Sequence, residues 1–325
     1  MVIKPNPISN LRPDQLRPFD ARRDLNVVAD LIESSFSLTL DADGRRYLRR
    51  MREAASRKKY KGWSGWGGRS RGYALSGFVW EEDGMVVGNL SLVPFIYKRQ
   101  KIYLIANVAV KQEYRRRGIA QALTTAALER CRQRKVDATW LQVRHDNEAA
   151  ENLYLKRGFN PQARRTTWIA SQEKLKRGNI EGYNVTFRRL KHWPFHRTWL
   201  GVNYPENLRW HYFNHFLVIN PSYTSIMTRL LDDSIVRHWV VQQGHETLGI
   251  MSWHRSHRYT DRLWLAAPPE HESAVLNAVV PRLKYNHRFT RQITLDYPDG
   301  QASETLSNLG FERKTTLIWM EVKHK

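Results

Sequence analysis

Apolar residues recur at Leu25, Val28, Ala29, Leu31 and Ile32, with Arg22, Arg23, Asp30 and Glu33 on the other side, the period of a helix with one buried face. A short strand in "LRPF" precedes it. A second helix, from about Ala42 to Arg57, is so rich in arginine that it should be mostly solvated. Two alternating runs in "LSGFVWEEDGMVVGNLSLVPF" predict an antiparallel hairpin with Asp83 and Gly84 at its turn. A strand from about Lys101 to Val110 follows, and then a helix through Arg134 with Ile119, Leu123, Ala126, Ala127 and Leu128 at helical spacing. The strand "TWLQVR", a short helix and a strand around Thr166 to Ala170 complete this half. Between the second helix and the hairpin, "KKYKGWSGWGGRSRGY" breaks all periodicity. It reads as a mobile loop, or as a lid carrying Trp63 and Trp66.

The strand-to-helix junction after Val110 is "EYRRRGIAQAL", with Arg115, Arg116 and Arg117 directly before Gly118. Gly118 lets backbone approach a ligand, and the amides at a helix start are unpaired and lie at the positive end of the dipole. The turn is therefore an anion site in outline. It lacks the Gly-Lys-Ser/Thr ending of a nucleoside triphosphate loop and the three glycines of a dinucleotide fingerprint.

Arg115, Gly118 and Ala120 fit Arg/Gln-x-x-Gly-x-Gly/Ala, which resembles the pyrophosphate loop of the GNAT (Gcn5-related) N-acetyltransferases. Downstream, Asn147, Ala150, Leu153, Tyr154, Gly158 and Phe159 are similar to that family's Asn-x-x-Ala-x-x-Leu-Tyr-x-x-x-Gly-Phe segment. The same segment also reads as a short amphipathic helix with Asp146 or Asn147 as N-cap and Gly158 at its end. The order of elements resembles the GNAT fold, in which the strand ending at Val110 and the strand ending near Arg144 diverge and the cofactor enters the gap.

A second copy is visible. "ITLDYPDGQASETLSNLGFERKTTLIWMEV" parallels "TWLQVRHDNEAAENLYLKRGFNPQARRTTWIA", and "VVQQGHETLGIMSWH" parallels "VWEEDGMVVGNLSLV", with Gly249 matching Gly88. The expected class is α+β: two tandem GNAT-like domains, each a mixed, mainly antiparallel sheet flanked by helices. The expected boundaries are 1–172 for the acetyl-CoA-binding domain, 173–182 for a linker and 183–325 for the diverged copy. In that copy "PPEHESAVLNAV" replaces the arginine turn, its Glu270 and Glu272 would repel a pyrophosphate, and Leu306 stands where Tyr154 would. Tandem architecture with one competent copy resembles mycothiol synthase and other two-domain acetyltransferases.

Composition adds three constraints. Lys and Arg outnumber Asp and Glu 53 to 31, a formal net charge of +22. That excess fits nucleic-acid proximity, an acidic substrate or a basic proteome, and no nucleic-acid-binding motif accompanies it. Cys131 is the only cysteine, which excludes a disulfide framework and cysteine-built metal sites. No stretch has the form of a signal peptide or membrane span, so a cytoplasmic location is expected.

The resemblance implies direct acyl transfer from acetyl-CoA, or another acyl-CoA, to a small-molecule or peptide amine, without metal. It implies that amides around Val108, Ala109 and Val110 bind the cosubstrate and its carbonyl, and that amides from Arg116 through Ile119 and Ala120 to Gln121 hold the pyrophosphate. Asn147 would contact the pantetheine arm and Tyr154 would donate to the departing sulfur. The general base stays open: the strand offers Tyr103 and Asn107, and a water chain or a carboxylate such as Glu81 or Glu82 is the alternative. A non-catalytic CoA-sensing or anionic-partner-binding module is the competing function. Oligomeric state is not legible.

Overall fold

The computed structural model describes residues 13–37, 40–57, 76–176, 182–231, 234–255, 260–284 and 291–324. Trp63 and Trp66 lie outside them, as does part of the expected linker. The chain divides into two compact units, residues 1–161 with 319–325, and residues 162–318.

The first unit contains β1 (Leu16–Pro18), α1 (Ala21–Phe36), α2 (Ala42–Arg57), β2 (Gly77–Glu82), β3 (Met85–Tyr97), β4 (Gln100–Val110), α3 (Ile119–Gln133), β5 (Ala138–Arg144) and α4 (Glu148–Leu155). Strands β1 to β4 pair antiparallel and β4 pairs β5 in parallel. Asp20 caps α1 by accepting from the Arg22 amide, and Leu25, Val28, Ala29, Leu31 and Ile32 are buried as the spacing requires. Burying each of the larger aliphatics is worth about 1.5–3 kcal/mol. Asp24 is buried too, held by both Arg17 guanidinium nitrogens at 2.7 and 2.8 Å and by the Asp20 amide at 2.8 Å. The hairpin turns at Asp83 and Gly84, both left-handed, as a two-residue β-turn demands.

Helix α2 departs from the solvated helix expected of its composition. Leu48 and Met51 are fully buried against the α1 face, and only the arginine-bearing side meets water. Two buried positions, flanked by the partly buried Tyr47, Ala54 and Ala55, suffice to seat the helix, however charged the remainder.

The second unit contains β6 (Asn160–Ala170), β7 (Asn184–Phe187), α5 (Trp193–Asn203), α6 (Arg209–Ile219), α7 (Tyr223–Leu231), β8 (Ile235–Gln243), β9 (Glu246–Arg255), β10 (Asp261–Ala266), α8 (Glu272–Lys284), β11 (Ile293–Pro298), α9 (Ser303–Asn308) and β12 (Glu312–Lys323). Strands β7 to β10 are antiparallel neighbours, β10 and β11 run parallel, and β6 pairs antiparallel with β11 from Ile293↔Ala170 to Pro298↔Arg165. Each unit is thus a mixed, mainly antiparallel sheet flanked by helices.

The unit boundary does not follow the sequence repeat. From Gln162 on, β6 belongs to the second unit, and from Trp319 on, β12 belongs to the first. There Trp319 packs edge-on against Trp140 at 6.3 Å, the His324 amide donates to Asp137 O at 2.9 Å, and His324 Nε2 lies 2.8 Å from Thr139 Oγ1.

Candidate active site

Strand β4 is not regular. Gly88 pairs with Val110 and Asn89 with Ala109, but Ser91 pairs with Ala106, so Asn107 and Val108 together oppose Leu90. This two-against-one bulge puts Asn107 in the left-handed region at φ 53°. A polar set holds it there. Asn89 Nδ2 donates to Asn107 O at 2.9 Å, and Asn107 Nδ2 donates to Tyr47 Oη at 3.1 Å and to Ser91 Oγ at 3.4 Å. The parallel pairing of β4 with β5 runs from Ile102↔Ala138 to Ile105↔Leu141, well short of Val110. The last residues of β4, among them Val108, Ala109 and Val110, thus lie beyond the paired segment.

Helix α3 begins where β4 ends. A Cβ on Gly88 would lie 2.8 Å from Ile119 Cγ2 and 3.2 Å from Leu123 Cδ1, so glycine is what lets the first turn of α3 rest on β3. Arg116 at φ 63° and Gly118 at φ 84° are both left-handed, and Gly118 is the N-cap with no side-chain cap. The first helical bond runs from the Ala122 amide to Gly118 O, which leaves the amides of Ile119, Ala120 and Gln121 without an intrahelical acceptor. No acidic residue occupies the first turn. Arg115 Nε donates to Val110 O at 3.1 Å, tying the turn to the strand end. Arg117 donates to Glu113 O at 3.0 Å and lies over the Tyr114 ring. The side chains of all three arginines are exposed.

Asn147 is the N-cap of α4, its Oδ1 accepting from the Ala150 amide at 3.1 Å, so its Nδ2 stays free to donate. Tyr154 is 7 % exposed and its ring meets Phe159 edge-on at 5.9 Å. Burial pushes its hydroxyl up to about 12. Gly158, at φ 84°, ends the helix as expected.

Of the candidate bases, Glu81 is engaged. Arg17 Nε at 2.7 Å and Arg23 Nη2 at 2.6 Å hold it, the Arg17 bond foremost in keeping its carboxyl below the usual range. Glu82 accepts from Trp80 Nε1 at 3.2 Å and lies 3.7 Å from Arg117 Nη1, and Tyr103 accepts from Arg134. Tyr47, Asn89 and Ser91 were not legible as site residues. Asn89 and Ser91 show only as polar positions inside an apolar run, and Tyr47 only as an aromatic in an arginine-rich helix.

The second unit repeats the geometry with different contents. Gly249 admits α8 as Gly88 admits α3, its would-be Cβ lying 2.6 Å from Val275 Cγ2. Pairing of β10 with β11 ends at Leu263↔Leu295. Beyond it Tyr297, fully buried, donates to Glu272 Oε1 at 2.5 Å, and Asn203 Nδ2 donates to Tyr297 Oη at 2.7 Å and Leu265 O at 3.0 Å. Burial raises the Glu272 carboxyl, the Tyr297 bond working against it. Leu306, at the position matching Tyr154, is fully buried.

Among the described residues no helix is long and apolar enough to cross a membrane, and no group of three or more His, Cys, Asp or Glu is gathered as metal ligands would be. Residues 40–159 match the acetyltransferase (GNAT) family. An N-alpha-acetyltransferase of Sulfurisphaera tokodaii is 34% identical over 99 residues, which are 27% of this chain and 58% of that relative. The chain thus spans little more than half the length of that curated relative. A GCN5-related N-acetyltransferase from Sphaerobacter thermophilus superposes with a TM-score of 0.61 at 14% identity, over 96% of this chain and 97% of the other. A tandem GNAT protein from the clavulanic acid biosynthesis pathway does so at 0.53 and 15%, over 95% and 98%. Residues 40–159 thus carry the match to the GNAT family, and the fold of the chain is that of the tandem GNAT protein and the GCN5-related enzyme it superposes on.

Proposed function

We propose that the first unit transfers an acetyl group from acetyl-CoA directly to the amine of an acceptor. The observation that carries this reading is the turn from Arg115 to Gln121: open helix-start amides, two left-handed residues and three exposed arginines at the end of β4, past its pairing with β5. Such a cradle fits a pyrophosphate, which accepts from several amides at once and is favoured by the dipole. Acetyl-CoA would supply the acyl group as an activated thioester. The amides of Arg116 to Gln121 hold the pyrophosphate, with Arg115 and its neighbours adding charge. The free Nδ2 of Asn147 reaches the pantetheine arm, and the amides of Val108 to Val110 orient the carbonyl and hold charge that develops on its oxygen.

Tyr154 keeps its proton through the whole working range, because burial sets its pKa at about 12. Its Oη–H donates to the departing sulfur. Giving up the proton outright is uphill from that value, so holding the sulfur's charge is the larger part of its work.

The acceptor we favour is an α-amino group of a peptide or protein. The Sulfurisphaera relative is named for that activity. An α-amine, with a pKa near 8, carries far more neutral form at pH 7 than a lysine near 10.4, and only the neutral form attacks. The test follows CoA release with peptides whose N-terminus is free or blocked, and with small amines. Release with the free peptide alone supports the reading. Acetyl-CoA binding with no release for any amine favours the non-catalytic module.

A further inference from the structure

One polar cluster in the second unit has no part in that chemistry. Arg188 follows β7, His196 lies on α5, and His238 and Ser252 are register partners on β8 and β9. Arg188 Nη1 lies 2.8 Å from His196 Nδ1, His196 Nε2 lies 3.3 Å from Ser252 Oγ, and Ser252 Oγ lies 2.7 Å from His238 Nδ1.

A guanidinium only donates, and this fixes the direction of the chain. His196 Nδ1 accepts, so the proton of the neutral ring is on Nε2 and goes to Ser252. Ser252 is fully buried, and its own proton has one remaining acceptor among the described residues, His238 Nδ1. The proton of His238 is therefore on Nε2. That N–H is buried and meets no acceptor among the described residues. Burial first, then Arg188, holds both rings below the histidine range, His238 at about 2, so the neutral forms persist.

The charge is unbalanced as well. Arg188 donates to Ile219 O at the end of α6 at 3.0 Å and lies over the Trp193 ring at 5.4 Å, but no carboxylate pairs with it among the described residues. Burial, helped by Arg229, pushes its pKa down to about 10. The α6 carbonyl and the Trp193 face offset part of the cost of a half-buried cation. Neither accounts for a donor left open at the far end of the chain, and buried donors are rarely left open.

We propose that His238 Nε2–H is the donor of an oxyanion-binding site in the second unit, with Arg188 supplying charge and His196 and Ser252 fixing the donating tautomer. The ligand carries a carboxylate or a phosphate. The site is independent of acetyl transfer.

The test uses the full chain, with inorganic phosphate and sodium acetate as probes. Long-range ¹H–¹⁵N spectra of the imidazoles, assigned by the signals lost in His238→Asn, report the tautomer directly. The expected result is the Nε2–H form and a saturable shift of the His238 signals with at least one anion. The anion that acts identifies the group. Asn at this position keeps an acceptor toward Ser252 and loses the outer donor, so affinity should fall about tenfold, the loss of one charge-assisted hydrogen bond. An Nδ1–H tautomer, or no saturable shift with either anion, overturns the proposal, and both readouts come from the wild-type chain. Unchanged affinity in a folded His238→Asn also overturns it.

Discussion

The turn after β4 and the turn after β10 occupy the same place in two copies of one fold and hold opposite contents. After β4 the helix starts bare: Gly118 has no capping side chain, no acid stands in the first turn, and the backbone reaches Gly118 through a left-handed Arg116. After β10 the chain closes the same end itself. Pro268 and Pro269 have no amide to offer, and Glu272 places a carboxylate in the first turn of α8, where a phosphate would otherwise lie. Tyr297 and Asn203 then fill the space beyond the paired part of β10 and β11. One copy leaves an anion to come from outside, and the other supplies it.

The sharpest break of that contrast is Gly118→Val. A β-branched residue at φ 84° is strained by about 1–3 kcal/mol and its Cβ crowds the cradle, so acetyl-CoA affinity should drop about 10- to 100-fold. Arg115→Ala, Arg116→Ala or Arg117→Ala singly should cost less, because exposed neighbouring charges compensate for one another. Equal losses in calorimetry for all four variants would show that charge, not the amide cradle, dominates.

Tyr154→Phe should lower turnover by on the order of 10²-fold with cosubstrate affinity unchanged, because it removes one positioned donor and keeps the ring against Phe159. The same change has a stability signature. The folded pKa is raised to about 12, so this group's contribution is complete below the unfolded value near 10 and is lost as pH climbs toward 12. The Phe variant should therefore lose less stability than wild type between pH 10 and 12 in denaturant titrations.

Glu81→Gln sharpens the assignment of Glu81 as structural. It should leave turnover within about twofold while lowering the thermal midpoint by a few degrees, since Arg17 and Arg23 lose a partner. Because the Glu81 pKa is depressed, its contribution is present above the unfolded carboxylate value and disappears as pH falls through the folded one, so the two proteins should converge in acid. A large loss of turnover would return Glu81 to the catalytic set.

The smallest effect is expected from Glu272→Gln. Removing the charge does not reopen the second copy, because Tyr297 and Asn203 still fill it, so calorimetry should find one acetyl-CoA per chain before and after. Burial raises the Glu272 carboxyl, so its charged form costs stability above the unfolded value, and the amide should be neutral or slightly stabilising at pH 7. A second binding equivalent would show that the carboxylate alone had closed the site.

What the sequence determined by itself is whatever depends on near neighbours along the chain. The buried face of α1, the Asp83-Gly84 turn, the arginine turn opening α3, the Asn147 cap and the Gly158 stop are set by spacing, capping chemistry and positive φ, all local. The repeat and its loss of the arginine turn were legible for the same reason. Tertiary structure decided the rest. A strand's alternation chooses a face and not a partner, so nothing local indicated that β6 pairs with β11 or that the last residues of β12 return to the first unit. Asn89 holding Asn107, Tyr297 reaching Glu272, and the chain from Arg188 to His238 join residues from separate elements. Each member looks alone like an isolated polar residue, and only the fold, by bringing them together away from water, obliges them to satisfy one another or to leave one donor open.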